Sequence, residues 1–341
     1  MNLLPWGAGL ISYRIPISQN NSSLDKLTYI QATVTNLLMK NIIAVAGATG
    51  NLGSQICQAL VAKGAEVRAI VRPESDPEKI QQLERLGVRV LKVNMLSAEE
   101  ISRAFWGASC VVSALAGLRD VIIDTQKIVL DAAVAAGVPR FIPSDYSLDF
   151  TKFSPGENRN LDLRREFHAY LDAQPIAATT IFNGAFAELL TDQMPLILFK
   201  QKWILYWGNA DHRLGFTTIP NTAEFTANAA LDPATPRFLS VAGDQVSPRE
   251  LKTIVSELTG EKFSLFRPGG LGLLSVLIKI ARRVAPGKND LYPAWQGMQY
   301  MRNMGDKRAT LTKTDNNRYP HMHWTTVKEL IAAHYAHSTN P

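Results

Sequence analysis

The chain has 341 residues, 46% of them apolar and 19% charged, enough to bury a full core and unlike a disordered or collagen-like segment. Its two cysteines cannot build a disulfide framework or a four-thiolate zinc site, and its six histidines form no HExxH pattern, so a reduced, cytoplasmic setting without a metal site is expected. The formal charge of +6 comes from 36 basic residues interspersed among 30 acidic ones, a pattern that leaves no concentrated footprint for direct nucleic-acid binding.

Residues 1 to 38 mix LLPWGAGLIS with SQNNSS, lack a basic start and a small-residue cleavage site, and are expected to form an extension outside the fold rather than a secretory signal. Met39 stands directly before the first strand, NIIAVAG over 41–47. A helix is expected from Asn51 to Lys63, a strand over 65–71, a helix from Asp76 to Leu86, and a strand over 88–93. Then follow a helix from Ser97 to Trp106, a strand over 108–115 and a helix from Val121 to Ala136 that stops at Gly137. A fifth strand over 138–144, a helix over 161–174 and a sixth strand over 176–182 complete the alternation.

Strict alternation of this kind predicts an α/β fold, a doubly wound parallel sheet of the Rossmann type. Beyond it the periodicity weakens. A helix, a Trp/Tyr-rich strand over 203–207 and turns share 184–215; an αβα run occupies 220–261; and 262–341 is expected to be helical with Gly/Pro breaks. The expected organisation is a dinucleotide-binding domain from 39–183 and 216–261, with a smaller substrate-covering lobe and C-terminal helices from 184–215 and 262–341. No stretch reaches the roughly 18 apolar residues of a membrane span. The longest, Gly270 to Ala281, is broken by Lys279 and reads as a helix covering an apolar pocket in preference to one lying on a membrane surface.

GATGNLG follows the first strand and leads into a helix, placing Gly47, Gly50 and Gly53 in G-x-x-G-x-x-G spacing. Glycine permits the tight turn, the approach of main-chain N–H groups to a pyrophosphate, and close packing of helix on strand. Thr49, Asn51 and Leu52 complete this cofactor-binding set at a helix N-terminus whose free N–H groups favour anions. Where an NAD site places a carboxylate at the end of the second strand, this chain has Arg72, with Lys79 one helical turn into the next element. A guanidinium there suits a 2′-phosphate, so NADP(H) is the expected cofactor.

With IAVAGATGNLG, VRAIVR, AAGVPRFIPSDYS, VAGDQVSPRELKTIVSELTG and DNNRYP in order, the chain resembles the NmrA-like and isoflavone-reductase-like group of atypical short-chain dehydrogenase/reductases over roughly 41 to 335. That resemblance implies that Ser113, Ala114, Leu115, Pro143 and Ser144 line the nicotinamide, with Asn183 and Gly184 bordering the same pocket. It also implies a catalytic lysine near the start of the helix before strand six, a position that falls on Arg164. Arginine stays charged and cannot act as a base; it can only stabilise a developing oxyanion.

The Y-x-x-x-K pair of other short-chain enzymes is absent, since Phe150 stands four residues after Tyr146, and this disfavours a sugar-epimerase reading. Tyr146 and His168 remain the other candidate catalytic groups, and Asp145 is expected to cap the following turn. The resulting expectation is an NADPH-dependent oxidoreductase transferring hydride to a small, apolar, aromatic substrate held near Phe186, Trp203, Trp207 and Leu271 to Leu277. The alternative is a catalytically silent NADP(H) sensor with a protein partner.

Overall fold

The computed structural model describes residues 41–191 and 194–339; the extension expected over 1–38 lies outside the described residues. β1 (Ile42–Ala46) sends Ile43 and Val45 to one face and Ala44 and Ala46 to the other, all solvent-excluded, as a strand covered on both sides must. It pairs in parallel with β2 (Glu66–Val71) and β4 (Cys110–Ser113). Adding β3 (Arg89–Lys92), β5 (Arg140–Ile142) and β6 (Ala177–Ala178) gives the parallel order β3-β2-β1-β4-β5-β6. The winding direction reverses between β1 and β4, which opens a crevice beyond their C-terminal ends.

α1 (Asn51–Ala62) and α6 (Ile219–Leu231) pack on one face, where Ile56, Leu60 and Phe225 meet Ile43 and Val45. The opposite face carries α3 (Ala98–Phe105), α4 (Gln126–Ala135) and α5 (Arg159–Leu171), whose Phe105, Leu130 and Phe167 close on Ala44, Val111 and Phe141. Each such fully buried side chain contributes about 1.5–3 kcal/mol. Local signals set the helix starts. Asp76 accepts from Glu78 N ahead of α2 (Pro77–Arg85), Ser97 from Glu100 N, and Asn158 from the amides of Asn160 and Leu161.

Two expected elements change form. The first six residues of the helix after β4, Asp120–Thr125, wind as a π-helix before α4 begins. Strand six is shared between two partners: Thr179 N donates to Phe141 O while Thr180 N donates to Arg237 O, so β6 pairs with β5 and β7 (Thr180–Phe182) with β12 (Phe238–Ser240). Arg140 of β5 is buried, and its guanidinium donates to Ala230 O at 3.1 Å, Ala229 O at 2.8 Å and Thr235 Oγ1 at 2.5 Å, placing positive charge at the carbonyl end of α6.

Two small sheets follow the main one. β8 (Ala185–Phe186), β11 (Leu214–Thr217) and β13 (Asp244–Val246) form one; β9 (Ile197–Leu198), β10 (Trp203–Trp207) and β14 (Ser264–Gly269) form the other. β14 corrects the expectation that everything after 262 is helical. Its Pro268 and Gly269 mask the strand in the sequence, and the edge position of β14 tolerates a proline. α7 (Pro248–Thr259), started by the Ser247/Glu250 capping box, buries Leu251 and Val255 with Ile204, Phe216 and Phe263. It shares this buried cluster with Phe150, Leu161 and Phe182 as well. α8 (Leu271–Val284), α9 (Ala294–Met304) and α10 (Val327–Thr339) complete the chain.

Candidate functional site

The glycine turn is required by backbone proximity. Gly47 has φ +81°, and a Cβ there would lie 2.6 Å from Ala114 O, while a Cβ on Gly53 would lie 2.2 Å from Gly47 O. Gly50 N donates to Gly47 O at 3.0 Å and closes the turn. Gly50 is also the N-cap of α1 and offers no side chain to the first-turn amides, which keeps Asn51, Leu52 and Gly53 N–H oriented toward an anion. Thr49 is half-buried and Asn51 is exposed, its Oδ1 accepting from Gln55 Nε2.

At the neighbouring strand ends, Ala114 N donates to Ala46 O, which ties the turn to the wall formed by Ala114 and Leu115. Ser144 Oγ donates to Leu115 O at 2.6 Å, and Ser144 N donates to Gln126 Oε1 at 2.9 Å. Gln126, fully buried, is a positioning residue that sequence reasoning missed; its one trace is an amide at the head of a largely apolar helix. Pro143 is buried beside Ser144. Ser113 Oγ and Asn183 Oδ1 are buried without a hydrogen-bond partner among the described residues. Ser113 is in register with Ala46, just before the glycine turn, and its orphaned hydroxyl there fits a bound polar group better than a sealed core, while Asn183 sits against Ser147, Thr217 and Thr222. Gly184 has φ +70°, and a Cβ there would lie 2.5 Å from Gly215 O, so only glycine lets β8 close onto β11 after Asn183.

Arg72 stands at the end of β2 with its side chain 67% exposed, leaning on Glu74 with an Nε–Oε1 distance of 3.4 Å, and Lys79 is exposed on α2. A surface pair of this kind is weak and yields readily to a phosphate.

The three candidate catalytic residues do not converge. Tyr146 is buried in the core layer against α1 and α6, and burial raises its phenol well above the ordinary tyrosine range. His168 belongs to a buried network. Arg237 Nη2 donates to its Nδ1 at 3.1 Å, so the proton sits on Nε2, which donates to Asp145 Oδ2 at 2.5 Å. Thr180 Oγ1 donates to the same carboxylate oxygen at 2.8 Å. Asp145 thus joins α5 to β7 and does not cap the following turn, a correction that reflects burial sequence spacing could not reveal.

Arg164 points elsewhere. Its Nη1 donates to Asn160 O at 2.9 Å, and its Nε is buried without a partner among the described residues. Tyr300 of α9, unnoticed in the sequence, lies beside it: burial raises the phenol's pKa while the Arg164 charge and Asn160 act in the opposite direction. Buried amides hold these two helices together. Asn158 Nδ2 donates to Asn303 Oδ1 at 3.1 Å, Gln296 Nε2 to Asn158 Oδ1 at 2.8 Å, and Arg159 N to Gln299 Oε1 at 3.1 Å. Arg165 is occupied by Asp162, Phe150 O and Phe153 O.

The expected apolar lining is only partly present. Trp203 stacks on Phe266 with ring centroids 4.6 Å apart at the surface, and Trp207 borders a cavity of about 30 Å³ with Met194, Tyr206, His212 and Met301, room for little more than water. Cys57 and Cys110 are buried free thiols, each pushed up to about 12 by burial, and so are unreactive.

A glycine-turned crevice at the reversal point of a parallel sheet, walled by strand ends, defines a dinucleotide-binding protein of the Rossmann type. The chain belongs to the NmrA-like family, whose model matches residues 39–269. It is 28% identical to Pinoresinol reductase 2 of Arabidopsis thaliana over 215 residues, 59% of this chain and 68% of the relative. It is also 28% identical to an NmrA-like family domain-containing oxidoreductase of Gibberella moniliformis over 241 residues, 65% of this chain and 78% of the relative. Among solved structures it is similar to AtPrR2 with NADP+ and (+)pinoresinol, with a TM-score of 0.75 at 22% identity over 86% of this chain and 99% of that one. An isoflavone reductase crystal structure follows at 0.72 and 18%, with the same two coverages.

Proposed function

We propose that the chain is an NADPH-dependent reductase acting on a small, apolar, aromatic substrate. The observation that carries this reading is the Gly47–Gly53 turn together with the orphaned Ser113 hydroxyl at the end of β4, in register with Ala46 just before that turn. The reductase names of its relatives and the NADP+ or NADPH in the solved neighbours support the same reading. When bound, the dinucleotide supplies the hydride. The α1 N-terminus holds the pyrophosphate, Arg72 the 2′-phosphate, and Ser144, braced by Leu115 and Gln126, keeps the strand-end wall fixed.

Arg164 supplies fixed positive charge to an oxygen that gains electrons, and its unpartnered Nε is the free donor for that purpose. On an active substrate, Arg164→Ala lowers kcat by roughly 10²-fold with NADPH affinity unchanged, and no ionisation of Arg164 shapes the pH profile. Arg164→Lys retains turnover by restoring a side chain that can exchange protons. Wild-type kinetics in both variants would remove Arg164 from the reaction and leave Tyr146, His168 and Tyr300 to be tested.

Cofactor choice is tested separately. Arg72→Glu weakens NADPH by roughly 30- to 100-fold and leaves NADH within a few fold, because a charge-assisted phosphate fork is exchanged for repulsion. Equal losses for the two cofactors in a titration would refute the assignment.

The second reading, a silent NADP(H) sensor, draws on one observation: a guanidinium that cannot release a proton stands where the family resemblance implies a lysine. Cofactor binding without NADPH oxidation across aromatic aldehydes, quinones and benzylic ethers would favour it.

A further inference from the structure

α8 has two apolar faces and only one of them is used. Leu274 and Ile278 are buried toward α9, whereas Leu273, Val276, Ile280 and Val284 on the opposite side are 48%, 51%, 54% and 78% exposed. Spacings of three, four and four residues place these four side chains in one stripe along the helix. Exposed apolar stripes of this length are unusual on a surface that meets only water. Tyr292, 65% exposed, lies just beyond the helix.

Charge separates the possible occupants. Residues 262–305 contain seven basic residues and one acidic residue, Asp290, an excess equal to the formal charge of the whole chain. Lys279 and Arg283 project beside the exposed stripe, with Lys288 after the helix, and all three are exposed with no ion pair among the described residues. Arg282 turns back over the Trp295 ring, 5.2 Å from its centroid. A second copy docked through this stripe would bring like charges together, which opposes association. An anionic bilayer surface satisfies both features, taking the apolar side chains below its headgroups and the cations among its phosphates. No described helix is long and apolar enough to cross a membrane, so the contact is with the surface alone.

We propose that α8 docks the protein on anionic lipid surfaces, with Leu273, Val276, Ile280 and Val284 inserted at the interface and Lys279, Arg283 and Lys288 engaging the headgroups. This supersedes the expectation that the helix serves only to cover an apolar pocket, and it stands independently of the reductase reading. The full chain is expected to co-sediment with vesicles of phosphatidylglycerol and phosphatidylcholine, to bind phosphatidylcholine vesicles far less, and to dissociate as salt is raised. The double variant Lys279→Glu/Arg283→Glu loses roughly tenfold or more in partitioning. Val276→Asp/Ile280→Asp loses binding comparably, while both variants keep the parent's circular dichroism melting curve because the replaced side chains are exposed. Three results would overturn the proposal: no co-sedimentation with anionic vesicles, binding undiminished in either folded variant, or a concentration-dependent dimer in light scattering that Ile280→Asp dissociates.

Discussion

Gly50→Val yields a folded protein that has lost NADPH binding by more than roughly 100-fold. Gly50 has φ −77° and ψ 164°, extended backbone open to any residue and well suited to a β-branched one. Its Cβ would approach only Gly47 O, at 3.2 Å, a tight contact that a few tenths of an ångström relieve. The cost to folding is about 1 kcal/mol, the difference between a glycine and an aliphatic N-cap. The isopropyl group nevertheless stands at the mouth of the α1 N-terminus, where an anion must approach main-chain N–H groups. Gly53 provides the contrast. With a Cβ placed 2.2 Å from Gly47 O, even Gly53→Ala cannot preserve the turn, so its loss of binding would report misfolding. Fluorescence titration with NADPH beside a thermal melt separates the two effects. Affinity within about threefold of the parent in folded Gly50→Val would remove the phosphate-binding role from this turn.

The second large effect is an acid sensitivity at the junction between α5 and α9. Arg308 donates to Glu157 at 2.9 and 2.8 Å and to Asp306 at 3.0 and 2.8 Å, while Arg302 adds a bond to Glu157 at 2.8 Å. The Arg308 hydrogen bonds hold both carboxyls down to about 2, from 4.5 for Glu157 and 3.8 for Asp306. A carboxyl with a depressed folded-state pKa adds stability above its unfolded-state pKa, and this contribution disappears as the pH falls toward the folded value. The cluster therefore stabilises fully at pH 7 and loses its contribution between about pH 5 and pH 2. Discounted for the partial exposure of Arg308, that contribution is about 2 kcal/mol. Arg308→Met removes a similar amount at pH 7 and flattens the acid limb of the urea midpoint against pH. An unchanged acid limb in the variant would show that the loss arises from other carboxyls.

The dinucleotide half was legible in the sequence because its signals are local. NIIAVAG is apolar on both faces, GATGNLG follows it directly, and Asp76 and Ser97 mark their helices with short-range caps. The groups that meet across the chain were not legible. Arg237 reaches His168, Asn303 reaches Asn158 and Tyr300 reaches Arg164 only after helices far apart in sequence have docked. His168 follows Arg164 by four residues on one helix, yet its imidazole is engaged by a buried carboxylate from another part of the chain, Asp145. Trp203 shows the limit in the other direction. An aromatic in an irregular stretch reads as pocket lining, but pairing between β10 and β14 turns it outward onto Phe266.

Buried Arg140 carries a consequence for the order in which the chain is made. Its strand enters the sheet beside β4, yet Ala229 O, Ala230 O and Thr235 Oγ1, the groups that accept from its guanidinium, follow about ninety residues later. In a nascent chain ending before them those three acceptors are absent, and the docking of α6 is the step that exchanges water around the guanidinium for backbone and hydroxyl acceptors. The emergence of α6 from the ribosome supplies the missing acceptors and the apolar cover over β1 in one event. A chain terminated between Arg140 and Ala229 would carry the whole glycine turn yet lack both the backbone acceptors of Arg140 and the end of the helix that covers β1.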